Sequence, residues 1–106
     1  MHGTHIAKKI VSDALNYGNV KSIAVEVGEL SGMPAKELED LLGAIANFNV
    51  NVKEIESFVE CKCGYKGRAK IKERLHDLII FCCPKCGKIP AVKKGDKIIL
   101  KEVEIG

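Results

Sequence analysis

Cys61-Lys62-Cys63-Gly64-Tyr65 and, later in the chain, Cys83-Pro84-Lys85-Cys86-Gly87 are two short cysteine motifs, each with a glycine directly after its second cysteine. Two such motifs separated by one loop can supply four thiolates to a tetrahedral zinc ion. Glycine tolerates the positive φ of a tight turn in which backbone N–H groups point at the sulfur atoms. The pattern predicts a zinc-ribbon-like module whose ligands are Cys61, Cys63, Cys83 and Cys86.

The spacing of the first pair leaves two alternatives open. Only Lys62 separates Cys61 from Cys63, whereas two residues separate Cys83 from Cys86, so the first pair must reach the metal over a tighter turn. Cys82 is therefore an alternative ligand. Disulfide pairing is the other alternative, although five cysteines are an odd count for a secreted disulfide scaffold.

Length and composition favour a small cytoplasmic protein. A chain of 106 residues builds only a modest core, and a structural zinc can add on the order of 10 kcal/mol of folding free energy. The N-terminus has no apolar run that would serve as a signal peptide or a membrane span. We therefore expect a protein of the reducing cytosol with no membrane association.

The net charge of +3 comes from basic residues concentrated around the cysteine motifs. Nucleic-acid binding has to be considered for a small basic zinc ribbon. However, the chain has only two tyrosines, three phenylalanines and no tryptophan on which bases could stack. A solvated lysine face is the simpler interpretation, and a nucleic-acid-binding or adaptor module remains the alternative function.

Hydrophobic periodicity predicts two helices. The first covers His5 to Tyr17, capped by Thr4 and ended by Gly18, because its apolar residues recur at helical spacing. The second covers Ala35 to Asn47, with Pro34 at its first position. Both would bury one apolar face against a sheet.

Alternating apolar residues predict the strands of that sheet. One strand runs from Lys21 toward Leu30, and Val50 to Val59 is extended with a bulge near Lys53-Glu54. Leu78 to Phe81 is a strand that delivers the second cysteine motif. Gly95-Asp96 predicts a hairpin, whose second arm, Ile98 to Ile105, can complete the N-terminal sheet.

These elements predict an α+β fold in which two helices lie on a small three-stranded sheet with an inserted zinc-ribbon-like module. We expect residues 1–59 plus 90–106 to form the α+β domain and residues 60–89 to form the zinc-binding domain. We find no enzyme site, because the four motif cysteines are used for zinc and no histidine has an evident nucleophile or carboxylate partner. A redox switch at Cys82 and Cys83 is the remaining alternative.

The start of the chain, Met1-His2-Gly3, offers a second set of metal ligands. The terminal amine of Met1, the amide and imidazole nitrogens of His2, and the amide of Gly3 can form a planar nitrogen site, which suits Ni(II) or Cu(II) better than Zn(II). Taken alone, a histidine near a terminus is more often a solvated residue. We interpret His5 and His76 as surface residues.

The chain resembles the hydrogenase nickel-incorporation family, the HypA/HybF metallochaperones. The resemblance is carried, in order along the chain, by Met1-His2, Gly28-Glu29-Leu30-Ser31-Gly32, Cys63-Gly64-Tyr65 and Cys83-Pro84-Lys85-Cys86-Gly87. The sequence departs from the family pattern at Gly3, where a glutamate is usual, and in the shortened first cysteine pair.

The resemblance implies a two-part protein that passes Ni(II) toward the immature large subunit of a nickel-iron hydrogenase. His2, with Met1 and Gly3, would bind the transferable nickel, and Cys61, Cys63, Cys83 and Cys86 would bind structural zinc. The implied partners are a nickel-handling GTPase and the hydrogenase large-subunit precursor, and some family members also serve urease. The chain would act as a monomer or a homodimer.

Overall fold

Two α-helices and eight β-strands make up the part of the chain that the computed structural model describes, residues 2–75 and 78–106 without the side chain of His2. In chain order the elements are α1 (His2–Leu15), β1 (Val20–Gly28), α2 (Ala35–Ile45), β2 (Asn49–Ile55), β3 (Phe58–Glu60), β4 (Lys66–Gly67), β5 (Lys70–Leu75), β6 (Leu78–Cys82), β7 (Ala91–Lys94) and β8 (Ile98–Ile105). The α+β class with an inserted cysteine-bearing module confirms the predicted fold.

The first sheet has the strand order β2-β1-β8, with β2 parallel and β8 antiparallel to the central strand. Ile23, Val25 and Val27 alternate along β1 and are buried, because period-two spacing puts them all on the face that the helices cover. Leu38 and Leu42 of α2 complete the centre of this core. The prediction that Ile98 to Ile105 joins this sheet is confirmed.

The helices differ from prediction at three of their four ends, and only the start of α2 at Ala35 is as predicted. α1 begins at His2 and ends at Leu15, so Thr4 lies inside its first turn and does not cap it. α2 begins at Ala35 after Pro34, which is the N-cap with φ −65° and ψ 133°. It ends at Ile45 because Ala46 is already extended. Neither described helix is long and apolar enough to cross a membrane.

The predicted strand from Val50 to Val59 is divided into two. β2 pairs with β1 in continuous register from Ser22–Asn49 to Gly28–Ile55, so the expected bulge near Lys53-Glu54 is wrong. After Glu56-Ser57 the chain enters β3, which belongs to a different sheet. The interruption is therefore a change of sheet at residues 56–57, and the β2 ladder itself is regular.

The second sheet has the order β4-β3-β7. β7 pairs with β3, whereas β8 pairs with β1, so the hairpin predicted around Gly95-Asp96 is wrong. These two residues instead carry the chain from the second sheet to the first. We call α1, α2, β1, β2 and β8 the helix-bearing half, and β3 to β7 with their turns the cysteine-bearing half.

β5 and β6 pair as a separate two-stranded antiparallel sheet. The predicted strand at Leu78 to Phe81 is confirmed and extends to Cys82, while its partner β5 was missed by the sequence patterns. Leu75, Leu78 and Ile80 are exposed on this hairpin. Together β5 and β6 span most of the chain between the two cysteine motifs.

Candidate metal centre

Each cysteine motif forms a tight turn closed by two backbone hydrogen bonds. In the first, the amide of Cys61 donates to the carbonyl of Tyr65 and the amide of Gly64 donates to the carbonyl of Cys61, both at 2.9 Å. In the second, the amide of Cys83 donates to Lys88 at 2.7 Å and that of Gly87 to Cys83 at 2.9 Å. The first turn repeats this pattern with one residue fewer, which accommodates the shortened cysteine pair.

The two glycines are required by backbone conformation. Gly64 has φ 99° and Gly87 has φ 79°, both in the region that side-chain-bearing residues avoid. Open space surrounds the position where a Cβ atom would lie on either residue. The prediction that glycine permits these turns therefore agrees with the structure, and steric crowding has no part in it.

The four predicted ligands lie together. The Sγ atoms of Cys61, Cys63, Cys83 and Cys86 are all within 4.8 Å of one another. Two pairs join the motifs directly, Cys61–Cys86 at 3.4 Å and Cys63–Cys83 at 3.7 Å. A zinc tetrahedron with bonds of about 2.3 Å has edges of about 3.8 Å, whereas a disulfide bond measures about 2.05 Å. The cluster thus has dimensions suited to a metal ion, and all five cysteines are free thiols.

Cys82, the alternative ligand, lies outside this four-sulfur group in the part of the chain that the structure describes. Its backbone pairs with Lys70 at the end of the β5–β6 ladder, and it is buried. Successive residues of an extended strand point to opposite sides. Cys83 follows directly and contributes its sulfur to the cluster.

The thiols of the second motif have unequal affinities for protons. Burial acts to raise the pKa of Cys83. Hydrogen bonds from the backbone N–H groups of Cys86 and Lys85 and from neighbouring thiols outweigh burial, so the pKa is lowered to about 7. For Cys86, a backbone N–H of Lys88 lowers the pKa, while hydrogen bonds with Cys61 and the other thiols, together with burial, raise it to about 11. The thiol of Cys83 therefore ionises more readily than that of Cys86, and a bound cation would displace the protons of both.

The nickel ligands predicted at the N-terminus lie largely outside the described residues, which exclude Met1 and the side chain of His2. The backbone of His2 begins α1, so the amides of His2 and Gly3 belong to a first turn whose N–H groups have no acceptor within the helix. His5 is exposed, as predicted, and His76 lies outside the described residues.

Gly3 itself packs against two side chains that the sequence patterns did not associate with the N-terminus. A Cβ atom on Gly3 would lie 2.8 Å from Cδ1 of Leu41 and 3.2 Å from Cε of Met33. Met33 comes from the loop between β1 and α2, and Leu41 from α2 itself. Their separation in sequence explains why no local pattern linked them to the first turn of α1.

A cluster of four thiols on tight turns, inserted into a helix-covered sheet, defines a small two-part metal-binding protein. Residues 1–105 match the family model described as "Hydrogenase/urease nickel incorporation, metallochaperone, hypA", so the chain belongs to this family. The family membership confirms the resemblance carried by the sequence motifs.

The chain is also similar to individual family members. It is 29% identical to the hydrogenase maturation factor HypA of Methanosarcina barkeri over 127 residues, covering 99% of this chain and 96% of the relative. The same factor of Methanothermobacter thermautotrophicus is 29% identical over 120 residues, with coverage of 99% and 97%.

A solved structure agrees with the fold. The solution structure of the Ni metallochaperone HypA from Helicobacter pylori superposes with a TM-score of 0.62 at 14% identity, covering 96% of this chain and 95% of that one. A second solution structure, of a HypA protein, gives a TM-score of 0.64 at 14% identity, with coverage of 99% and 96%. At this level of identity these likenesses show the fold alone.

Proposed function

We propose that this chain is a cytoplasmic nickel metallochaperone that binds Ni(II) at its N-terminus and delivers it for the maturation of a nickel-iron hydrogenase. The observation that carries this function is the family match over residues 1–105. The Met1 amine, the imidazole and amide nitrogens of His2 and the amide of Gly3 hold the ion in a planar set of nitrogen ligands. The placement of the two amides in the first turn of α1 supports this assignment, because their N–H groups are not used within the helix.

Zn(II) has a separate, structural role in the same proposal. Cys61, Cys63, Cys83 and Cys86 hold it, and the spacing of their Sγ atoms supports that choice. Four thiolates leave such an ion no open coordination position, so it stabilises the fold without catalysis. We assign residues 60–89 to the zinc-binding domain and residues 1–59 plus 90–106 to the nickel-binding domain, with the β4-β3-β7 sheet lying across this boundary.

The chain acts by metal transfer, without enzymatic turnover. A nitrogen site at the chain terminus can give up its ion by stepwise ligand exchange, whereas a closed thiolate site retains its own. The recipients are a nickel-handling GTPase and the hydrogenase large-subunit precursor. This chain meets them as a monomer or a homodimer. Because imidazole and amides must lose protons to bind nickel, affinity falls on acidification below about pH 6.5.

The decisive experiment is calorimetric titration of Ni(II) into untagged protein that keeps Met1 as its true terminus, combined with metal analysis. We expect one firmly held zinc and one nickel that is lost in His2→Ala. His5→Ala is the matched control, since His5 is exposed on the same end of α1, and it should retain nickel. Protein that carries a single metal and refuses nickel, or a His2→Ala variant of unchanged affinity, would refute the function.

A further inference from the structure

The segment Gly28-Glu29-Leu30 has no part in either proposed metal site, yet it contacts both chain connections between the two halves. The amide of Gly28 donates to the carbonyl of Lys97 at 2.9 Å, and the amide of Leu30 donates to Gly95 at 2.8 Å. Between them, the amide of Glu29 donates to Ile55 at 2.9 Å. These three consecutive residues thus contact the end of β2, just before the first connection at residues 56–57, and the second connection at residues 95–97.

The side chain of Glu29 extends this contact into the cysteine-bearing half. The backbone amide and the hydroxyl of Ser57 both donate to Oε2 of Glu29 at 2.7 Å. Arg68, between β4 and β5, also donates to the Glu29 carboxylate. Its Nε lies 3.1 Å from Oε1 and 3.0 Å from Oε2, and its Nη2 lies 2.6 Å from Oε1. The hydroxyl of Ser57 in turn accepts from the amide of Ala69 at 3.0 Å. One carboxylate therefore joins the β1 end, the first connection and the β4–β5 segment.

The burial of Glu29 increases the energetic cost of losing any of these hydrogen bonds. The side chain of Glu29 is 0% exposed, so losing a partner would leave a buried charge incompletely compensated. Arg68 also contacts Oε2 of Glu56 at 3.2 Å, but the Glu56 side chain is 73% exposed. An exposed ion pair of that kind contributes little. The same guanidinium thus makes one strong contact and one weak contact, and the strong one crosses between the halves.

We propose that Glu29 is a positioning residue that holds the cysteine-bearing half in one orientation against the helix-bearing half. In the described part of the chain, residues 56–57 and residues 95–97 connect the two halves, and both connections are short enough to act as hinges once their anchor is removed. The loop that follows Glu29 reaches Met33, which packs on Gly3 at the start of α1. The cysteine cluster and the first turn of α1 at Gly3 are therefore presented to a partner in one fixed arrangement.

Backbone residual dipolar couplings of the zinc-loaded, isotope-labelled chain test this role. In the wild type, both halves should fit one alignment tensor. Glu29→Gln removes the charge, and Arg68→Gln removes the guanidinium from a side chain that is 53% exposed. In each variant we expect the chain to keep one zinc and each half to fit an alignment tensor of its own, but no single tensor should fit both halves. Glu56→Gln is the matched control and should keep it.

A common tensor that survives in Arg68→Gln, or global unfolding of that variant, would overturn the proposal. The first result would show that the pair does not set the orientation, and the second that it supports the whole fold. Arg68→Gln remains decisive even if Glu29→Gln fails to fold, because it alters an accessible side chain. These outcomes are independent of nickel binding, so the proposed function and the role of Glu29 can fail separately.

Discussion

Gly28, at the end of β1, approaches Gly95 so closely that a Cβ atom on Gly28 would overlap the Gly95 carbonyl group and lie 2.8 Å from the amide nitrogen of Asp96. Gly95 has φ 94°, and a Cβ atom placed on it would lie 2.6 Å from Cα of Ser57. Three backbone segments therefore cross at this point, with no room for a side chain at Gly28 or Gly95. The crossing permits the chain to pass from β7 into the other sheet.

Gly28→Ala should destabilise the protein strongly. The atoms that a methyl group would meet belong to the backbone of the β7–β8 connection, which cannot move aside without breaking the hydrogen bond from Gly28 to Lys97. We expect the free energy of unfolding in urea to fall by about 2 kcal/mol or more. Gly43→Ala is the control, because nothing lies within 4 Å of its Cβ position in α2. It should gain up to about 1 kcal/mol from helix propensity. Equal effects of the two substitutions would contradict the crowding at Gly28.

Cys83→Ser and Cys82→Ser should differ sharply in zinc retention and in stability, although the two cysteines are neighbours in sequence. Cys83 is 1% exposed and places its sulfur in the four-sulfur group, while Cys82 is buried outside it. We expect Cys83→Ser to lose tightly bound zinc, and with it a large part of a stabilisation on the order of 10 kcal/mol. Cys82→Ser should retain one zinc per chain. Metal analysis after dialysis, followed by thermal unfolding with and without a chelator, measures both. Zinc loss from Cys82→Ser would instead make Cys82 a ligand.

Local sequence patterns predicted those parts of the fold whose causes are local. The alternation of Ile23, Val25 and Val27 located the central strand, and the cysteine–glycine spacing located the two turns. The partner of a strand is not a local property, and for that reason Gly95-Asp96, whose residues are typical of a hairpin turn, joins strands of two different sheets. β5 shows no alternating pattern, because four of its six residues are charged and only Ile71 and Leu75 are apolar.

The contact between Glu29 and Arg68 was also beyond sequence reasoning. The two residues are 39 positions apart, and in the sequence the motif Gly28-Glu29-Leu30-Ser31-Gly32 serves only as a mark of the family resemblance. Charge alone predicts a glutamate on the surface. Its burial becomes evident only when the two connections between the sheets are seen to meet there.

Gly3→Ala should be tolerated, despite the close contacts around Gly3. Cδ1 of Leu41 and Cε of Met33, which a methyl group would meet at 2.8 and 3.2 Å, are the ends of flexible side chains and can shift. The cost of that shift opposes the gain of roughly 1 kcal/mol from replacing a helical glycine. The free energy of unfolding should therefore change by less than about 1 kcal/mol. A loss comparable to that of Gly28→Ala would show that Met33 and Leu41 are rigidly held.

Glu29 should contribute a pH-dependent part of the stability in acid. Burial acts to raise the pKa of Glu29, but the hydrogen bonds from Arg68 and Ser57 together outweigh it. The net result is a pKa lowered from 4.5 to about 2. Because the pKa in the folded state lies below the ordinary value, the stabilisation is fully present above about pH 4.5 and is lost as the pH falls toward 2. The shift alone corresponds to roughly 3 kcal/mol. Solvent screening at the half-exposed Arg68 reduces our expectation to on the order of 2 kcal/mol.

The comparison of wild type with Glu29→Gln isolates this contribution from the protonation of the four clustered cysteines, which both proteins share. Urea unfolding at several pH values should show the wild type more stable at pH 6, with the difference narrowing as the pH falls below about 4.5. Glu56→Gln also alters a carboxylate beside Arg68, but that carboxylate is exposed, so its difference from the wild type should stay small throughout. A gap between wild type and Glu29→Gln that is constant from pH 6 to pH 3 would mean that the ionised carboxylate of Glu29 gives no net stabilisation. The junction between the two halves would then be held chiefly by the backbone hydrogen bonds of Gly28, Glu29 and Leu30.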